Sequence, residues 1–479
     1  MKELLEKLRT CSSVEEKISF LDAYPPVRSF LQSNPFAFQK FSKEKEFACK
    51  QLIAIGQWER LVGDEKLSKD AIDLLLDKMV ALDVFYQELG GILGYQEKVL
   101  RFLKGGDDAR NKEILTLHPP SFVDISEITD KVRSSILEGI KALPLIAEMY
   151  PLGGAADRLH LVDEKTGSDL PAAKLQYAGR TLFEGLIRDL AAREYVYFKL
   201  FGSQVQTPVA IMTSAEKGNH SHVLKIADEM GWFGRPKELF RIFMQPLVPA
   251  VDEEGNWCLL GLGVPLLKPG GHGALWKLAR DEGVFDWLHA LKRKKTLVRQ
   301  LNNPIASLDY GLLAFSGIGV EQKMVFGFAS CPRVIQSAEG VNVVVEKKNG
   351  EVALTNIEYC DFAKYGIEDR PQEIGGSYSQ FSSNTNILFA DLDAIEKAVK
   401  ICPFPGLLVN MKQASYTTLE GEKKSSVMAR LESTMQNIAD VFVDSAKDLQ
   451  GAKKGPRHTF VTYNHRHKTI ATAKKAFVL

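Results

Sequence analysis

Up to about residue 140 the chain repeats its apolar positions with a helical period. Ile72, Leu75, Leu76, Met79, Leu82 and Tyr86 fall near a spacing of 3.6 and predict one apolar helix face. Pro25-Pro26, Gly90-Gly91 and Gly105-Gly106 punctuate this stretch. From about residue 144 the texture changes. Short apolar runs appear at Leu145–Tyr150, Val209–Thr213, Leu259–Leu262, Thr296–Gln300, Gly340–Glu346, Asn386–Ala390 and Gly406–Asn410, and an amphipathic stretch, Thr181–Arg193, lies between the first two. Strand, helix, strand in this rhythm predicts an α/β fold with a mixed, mainly parallel sheet covered by helices. Polar residues take over at Gln413–Ser426, and a last helical pattern, Val427–Leu449, leads into the tail. The expected division is a helical N-terminal accessory domain (1–140), a catalytic domain (141–412) and a C-terminal helix with a basic tail (413–479).

Composition bounds the class. The chain has 479 residues, 45% hydrophobic and 25% charged, enough for two or three domains with real cores. No run approaches the roughly 20 apolar residues of a membrane-spanning helix, so no membrane partner is expected. Net charge is +1, which gives no whole-chain case for nucleic acid. The last 29 residues, 451–479, hold seven Lys/Arg and no acid, leaving 54 basic against 60 acidic residues before them. This tail reads as a solvated or oligomer-contacting end. Phe460, Tyr463 and Phe477 interleave its charges, but no nucleic-acid-binding motif accompanies them. Six scattered cysteines without a CxxC pair point to a reducing compartment, the cytoplasm. The charged N-terminus does not look like a transit peptide; a processed chain in the plastid stroma is the alternative.

Several stretches carry chemistry. Leu152-Gly153-Gly154 follows an apolar run, and paired glycines let backbone N–H groups approach a phosphate; Arg158, Lys165 and Lys174 follow as candidate cations. Val209–Ser214 ends in two hydroxyls at what would be a carboxyl edge. Gln245 and Gly270-Gly271-His272-Gly273 suit the edge and face of a planar base. His272 reads as a hydrogen-bonding residue rather than a catalytic one. Glu358, Asn384 and Asn386 suit sugar hydroxyls, and Lys412, expected to reach the carboxyl edge after the 406–410 strand, suits a sugar phosphate. His220/His222 and His465/His467 are spaced i, i+2 without a third metal ligand.

Taken in order, these stretches resemble the UTP–sugar-1-phosphate uridylyltransferases, the eukaryotic-type UDP-glucose and UDP-N-acetylglucosamine pyrophosphorylases. Gly153-Gly154-Ala-Ala-Asp-Arg158 resembles the family's nucleotide loop, Met212-Thr-Ser214 its Met-Thr-Ser strand, and Gln245 its uracil-contacting glutamine. Pro269–Gly273 is similar to its glycine loop. Asn384-Thr-Asn386 with Leu388, Val409-Asn-Met-Lys412 and Leu431-Glu-Ser-Thr434 are similar to its sugar and phosphate segments. Long stretches, such as Tyr150–Asp189 and Leu297–Leu313, resemble the divergent plastid sulfolipid-type UDP-glucose pyrophosphorylases. The resemblance implies a Rossmann-like, glycosyltransferase-A-type nucleotidyltransferase core. It also implies UTP and a sugar-1-phosphate, most simply glucose-1-phosphate, as substrates, and Mg²⁺ as cofactor. It departs at Ala156, Asp157, His160 and Asn302, the last standing where the family has a metal-binding aspartate. Asp157 and Asn302 motivate one alternative, a degenerate nucleotide-sugar-binding regulatory or scaffolding relative; the other is N-acetylglucosamine-1-phosphate as substrate, against which the Asn-Thr-Asn segment favours glucose.

Overall fold

The computed structural model describes residues 1–34, 41–63, 67–105, 113–154, 161–163, 165–306, 309–409, 411–449 and 455–471. By contacts the chain divides into two compact units. The first comprises residues 1–108, 246–270 and 407–432; the second comprises 109–245, 271–406 and 433–479.

The first unit is built on the helical segment. Its longest helix, Lys69–Phe85, is capped by Ser68 and buries Leu75, Leu76, Met79 and Leu82, four of the six periodic positions. Two later segments join these helices. Buried Trp257 donates its indole N–H to Gln96 Oε1 (2.9 Å), and Gln57 Oε1 accepts from its backbone N–H (3.0 Å). The Tyr95 hydroxyl donates to Pro249 O. Such partners lie more than 150 residues apart in sequence, so no local pattern announces them.

The second unit holds a 12-stranded mixed sheet. Along its main path the strands run in the order Val123–Asp124, Thr459–Tyr463, Phe326–Cys331, Ser383–Asp391, Lys295–Val298, Ile146–Pro151, Val209–Ser214, Phe240–Gln245. Only Ser383–Asp391 runs antiparallel to its neighbours on this path. The last four are mutually parallel and joined through helices: Leu182–Phe201, Asn219–Glu229, and the pair Ala274–Asp281 and Val284–Ala290. Leu186, Ile187, Leu190, Val223 and Ile226 on the first two helices close over Tyr150, Val209 and Ile211. A side branch carries Ile114–His118, Val341–Lys347, Glu351–Ile357 and Val443–Ser445.

Four expectations change. The helical N-terminal stretch ends earlier, since Ile114–His118 and Val123–Asp124 are strands of the main sheet. Among the described residues, 406–409 add no strand to that sheet; Leu408–Val409 pairs with Leu431–Glu432 in the first unit. Val427–Leu449 is not a helix. Residues 423–428 form a hairpin with 412–417, and Met435–Val441 is a 3₁₀ turn pinned by Gln436 and Asn437 onto Asn356 and Thr355. Strand pairing and these amide bonds outweigh the helical period there. The basic tail is no solvated end throughout, because buried Thr459, Phe460, Val461 and Thr462 form an interior strand of the sheet.

Candidate functional site

Four parallel strands deliver their carboxyl ends to one edge, the place where open α/β sheets bind ligands. From Ile146–Pro151 the chain turns into Leu152-Gly153-Gly154. Leu152 N donates to Met212 O (2.8 Å), and the Asn219 amide clamps two strand ends by donating to Leu152 O (3.1 Å) and accepting from Ser214 N (3.0 Å). The two glycines differ. A Cβ on Gly153 would stand 2.2 Å from Gln245 Nε2 and 2.9 Å from the Thr213 carbonyl, whereas Gly154 is exposed and has nothing within 4 Å of a Cβ. Gly153 thus lets the loop lie against Gln245, and Gly154 leaves open backbone above it.

Gln245 pairs in register with Ser214 at the ends of adjacent strands. Both are buried, and both carry a buried oxygen, Gln245 Oε1 and Ser214 Oγ, without a hydrogen-bond partner among the described residues. A buried acceptor left unmade costs roughly 1–3 kcal/mol, so these two oxygens are available to a donor at the strand ends. Thr213 Oγ1 lies 2.8 Å from His220 Nδ1 and 3.1 Å from Phe243 O, so its hydroxyl links the ring to the neighbouring strand. His220 is therefore part of the edge. Among the described residues no group of three His, Cys, Asp or Glu side chains is placed to hold a metal ion.

Beneath the edge lies a buried charge cluster. Arg299 bonds Asp189 (2.9 Å) and sits 3.5 Å from Glu148, which also meets Arg193 and the Tyr150 hydroxyl. Burial alone would raise the Glu148 carboxyl, but the two guanidinium groups and the tyrosine hold it below its usual value. Within the cluster the carboxylates and guanidinium groups offset one another's charge.

The glycine loop is partly architectural. Gly271 has φ +94°, a conformation that favours glycine, and a Cβ on Gly273 would collide with Ser433 and Thr434 at 2.6 Å. Gly270 is buried in the first unit beside Val248 and Tyr86. His272 Nδ1 accepts from Met435 N (3.1 Å), leaving its proton on Nε2. Burial pushes the imidazole from 6.5 down to about 4, so it is neutral near pH 7, with an N–H to offer at Nε2. Its titration affects stability. Below pH 6.5 the unfolded chain takes up a proton that the native ring refuses, so stability falls from pH 6.5 down to about 4 and levels off below. His272→Gln should flatten that part of a melting-temperature–pH profile; an unchanged slope would place the effect elsewhere.

The cations separate. Lys174 ends the 3₁₀ turn Ala172–Lys174 and is half-buried. Its charge acts on His222, which burial first and Lys174 next hold below the usual value. Lys165 is exposed, in a turn held by Asp163 Oδ1 accepting from its backbone N–H (3.0 Å). Lys412 is exposed at the start of the Lys412–Thr417 hairpin strand in the first unit, so no main-sheet strand delivers it as expected. Arg158, with Ala156, Asp157 and His160, lies outside the described residues. Asn302 is half-buried four residues beyond the Lys295–Val298 strand; its neighbour Asn303 clasps Thr469 O and Ala471 N.

The sugar candidates converge in the same unit. Asn384 N donates to Gly340 O (2.9 Å), a Cβ on Gly340 would stand 3.3 Å from Glu358 Oε1, and Asn384 Nδ2 donates to Asn386 Oδ1 (2.9 Å). Asn386 takes φ +57°, next to the irregularity where Ser383–Asp391 pairs with Phe326–Cys331. Sequence reasoning missed Asn219 as the clamp and Ser433-Thr434 as the seat of the glycine loop. An asparagine opening the helix after Met-Thr-Ser was the only local signal for the first.

No family profile matches the chain. It is 38% identical to the chloroplastic UTP–glucose-1-phosphate uridylyltransferase 3 of Arabidopsis thaliana over 99% of its own length. It spans 62% of the length of that relative. Its fold is similar to the UDP-N-acetylglucosamine pyrophosphorylase of Trypanosoma brucei, with TM-score 0.67 at 18% identity, covering 92% of this chain and 82% of the other. It is also similar to a UDP-glucose pyrophosphorylase variant from Leishmania major solved with UDP-glucose, with TM-score 0.55 at 15% identity, covering 85% and 78%.

Proposed function

Taking the chain as a member of the UTP–sugar-1-phosphate uridylyltransferase family, to which 38% identity along nearly its whole length assigns it, we propose that it converts UTP and glucose-1-phosphate to UDP-glucose and pyrophosphate. The observation that carries this reading is the strand-end constellation of Gly153, Gly154, Ser214 and Gln245, with its two unpartnered buried oxygens. Gln245 Oε1 is an acceptor for the imide N–H of uracil. Backbone at Gly154 is open for phosphate, as at other glycine-rich turns. His272, neutral and donating from Nε2, adds a hydrogen bond without adding charge.

In the proposed reaction a phosphate oxygen of the sugar-1-phosphate attacks the α-phosphorus in line. The new P–O bond forms as the bond to the β-phosphate breaks, and pyrophosphate leaves. The protein's part is to align the two substrates and neutralise their charge. Lys174 is the better placed of the two loop lysines, being half-buried and electrostatically coupled to the helix that follows Ser214. Lys412 and Arg158 are assigned by resemblance. The described donor set does not fit a protein-built metal cage; Mg²⁺ would arrive as a partner of the triphosphate, and among the described residues the Asn302 amide oxygen is a candidate ligand for it. Glucose is preferred over N-acetylglucosamine because the Arabidopsis relative is named for glucose-1-phosphate, and its chloroplastic name supports the plastid alternative over the cytoplasm.

Glu358 and Asn386 are assigned to sugar hydroxyls. Glu358→Ala should raise the KM for glucose-1-phosphate about tenfold, on the scale of one lost buried polar contact, and leave the KM for UTP unchanged. Equal damage to both would mark a folding defect instead. Substrate class is tested by comparing kcat/KM for glucose-1-phosphate and N-acetylglucosamine-1-phosphate with UTP. The proposal expects glucose to be faster; the reverse order would replace the sugar, and turnover of neither would overturn the reading.

A further inference from the structure

Beside the sugar candidates lies a set of buried polar atoms that no hydrogen bond uses. Val341–Lys347 and Glu351–Ile357 pair antiparallel, and Asn342 stands directly opposite Asn356. Val341, Val343, Val345 and Ile357 face an apolar cluster, so Asn342, Asn356 and Glu358 share the other face. On that face Gly340 touches both Asn356 and Glu358, since a Cβ there would stand 3.2 Å from the Asn356 amide and 3.3 Å from Glu358 Oε1. Asn356 is held from three sides: its Nδ2 donates to Val341 O (2.8 Å), its Oδ1 accepts from Gln436 Nε2 (3.3 Å), and its carbonyl accepts from Asn437 Nδ2 (3.0 Å). Asn342 is fully buried, yet its side-chain nitrogen and oxygen both lack hydrogen-bond partners among the described residues. Gln436 Oε1 and Ser382 Oγ, also buried, lack partners too. Ser382 is adjacent, because its carbonyl accepts from Asn342 N (3.3 Å).

The unmet groups are complementary. Asn342 offers an N–H₂ and a carbonyl oxygen, Gln436 an acceptor, and Ser382 a hydroxyl that gives or takes. Buried polar groups are ordinarily satisfied, so a complementary set left open one rung from the proposed sugar site is a place where a second, closed arrangement gains hydrogen bonds. We propose that Asn342 is a positioning residue for sugar binding. When a hexose engages Glu358 and Asn384, the Asn342 rung closes onto Gln436 and Ser382, and the hydrogen bonds made there add to the affinity for the sugar half of the ligand. The inference rests on the uridylyltransferase reading. It concerns the hexose alone, because the nucleotide edge at Gln245 shares none of these residues.

The test is titration calorimetry of UDP-glucose and of UTP into the full chain and into Asn342→Leu, with melting temperatures alongside. Leucine fills nearly the same volume and removes both unmet atoms, so the free protein should melt at the same temperature or higher. UDP-glucose should bind about tenfold more weakly, the scale of one or two lost polar contacts, with UTP affinity unchanged. Asn342→Ser, which keeps a donor and an acceptor, should fall between the two and serves as well if leucine impairs folding. Unchanged UDP-glucose binding, or equal weakening of both ligands, overturns the proposal and leaves Asn342 a core amide. Wild-type protein that binds UDP-glucose but releases no pyrophosphate would instead defeat the catalytic reading, and the positioning result would stand.

Discussion

Gly153→Ala should raise the Kd for UTP on the order of a hundredfold. The added methyl would stand 2.2 Å from Gln245 Nε2 and 2.9 Å from the Thr213 carbonyl, and backbone cannot yield there because Leu152 N is tied to Met212 O. Gln245 must leave its place, and the acceptor offered to the base goes with it. A lost buried hydrogen bond together with displaced packing amounts to about 2–3 kcal/mol, which corresponds to that factor. Gly154→Ala meets nothing within 4 Å and should fold as wild type. Gln245→Leu removes an unpartnered buried oxygen, so it should fold normally while losing UTP. Fluorescence or calorimetric titration of the three variants checks this. Wild-type UTP affinity in a folded Gly153→Ala protein would remove the strand-end constellation from the base site.

The second large effect concerns charge. Lys174→Ala should lower kcat by about 10²–10³, the usual loss when a cation that neutralises developing phosphate charge is removed. Lys165→Ala should cost less than about threefold, because an exposed lysine in a surface turn contributes little beyond a screened field. Lys412→Ala should resemble Lys174→Ala in kcat and leave UTP affinity near wild type, if its segment serves the sugar phosphate as the family resemblance implies. Single-turnover rates for the three variants, measured side by side, separate these outcomes. Wild-type rates in all three would make these lysines ordinary surface residues.

The contrast between the two loop lysines illustrates what the sequence could disclose. In the sequence both follow the glycine pair as candidate cations; burial and the field on His222 distinguish them. Strands at Ile146–Pro151, Val209–Ser214 and Lys295–Val298 were legible because interior parallel strands are short continuous apolar runs. Phe326–Cys331 and Thr459–Tyr463 escaped. The first has small residues, Gly327, Ala329 and Ser330, among its aromatics, and the second is hidden among basic residues and histidines. Gly327 is required there by Phe460 on the neighbouring strand, whose ring would lie 2.2 Å from a Cβ. The Val427–Leu449 reading failed for a related reason. Its helical period is real, but the hairpin with 412–417 and the amide bonds of Gln436 and Asn437 are long-range contacts that no window of sequence contains. The site residues taken from motifs were brought together where a motif ends a strand, as at Gly153, Ser214 and Gln245. Lys412 was misplaced because its motif follows a strand of a different sheet.

The most direct test of the central claim is pyrophosphate release from UTP, followed with purified protein and Mg²⁺ and with glucose-1-phosphate present or absent. The account predicts release that requires both the sugar phosphate and the metal, with UDP-glucose formed in equal amount. UTP binding without pyrophosphate release, at any concentration of glucose-1-phosphate or N-acetylglucosamine-1-phosphate, would contradict it and mark the chain as a nucleotide-sugar-binding relative that has lost the reaction.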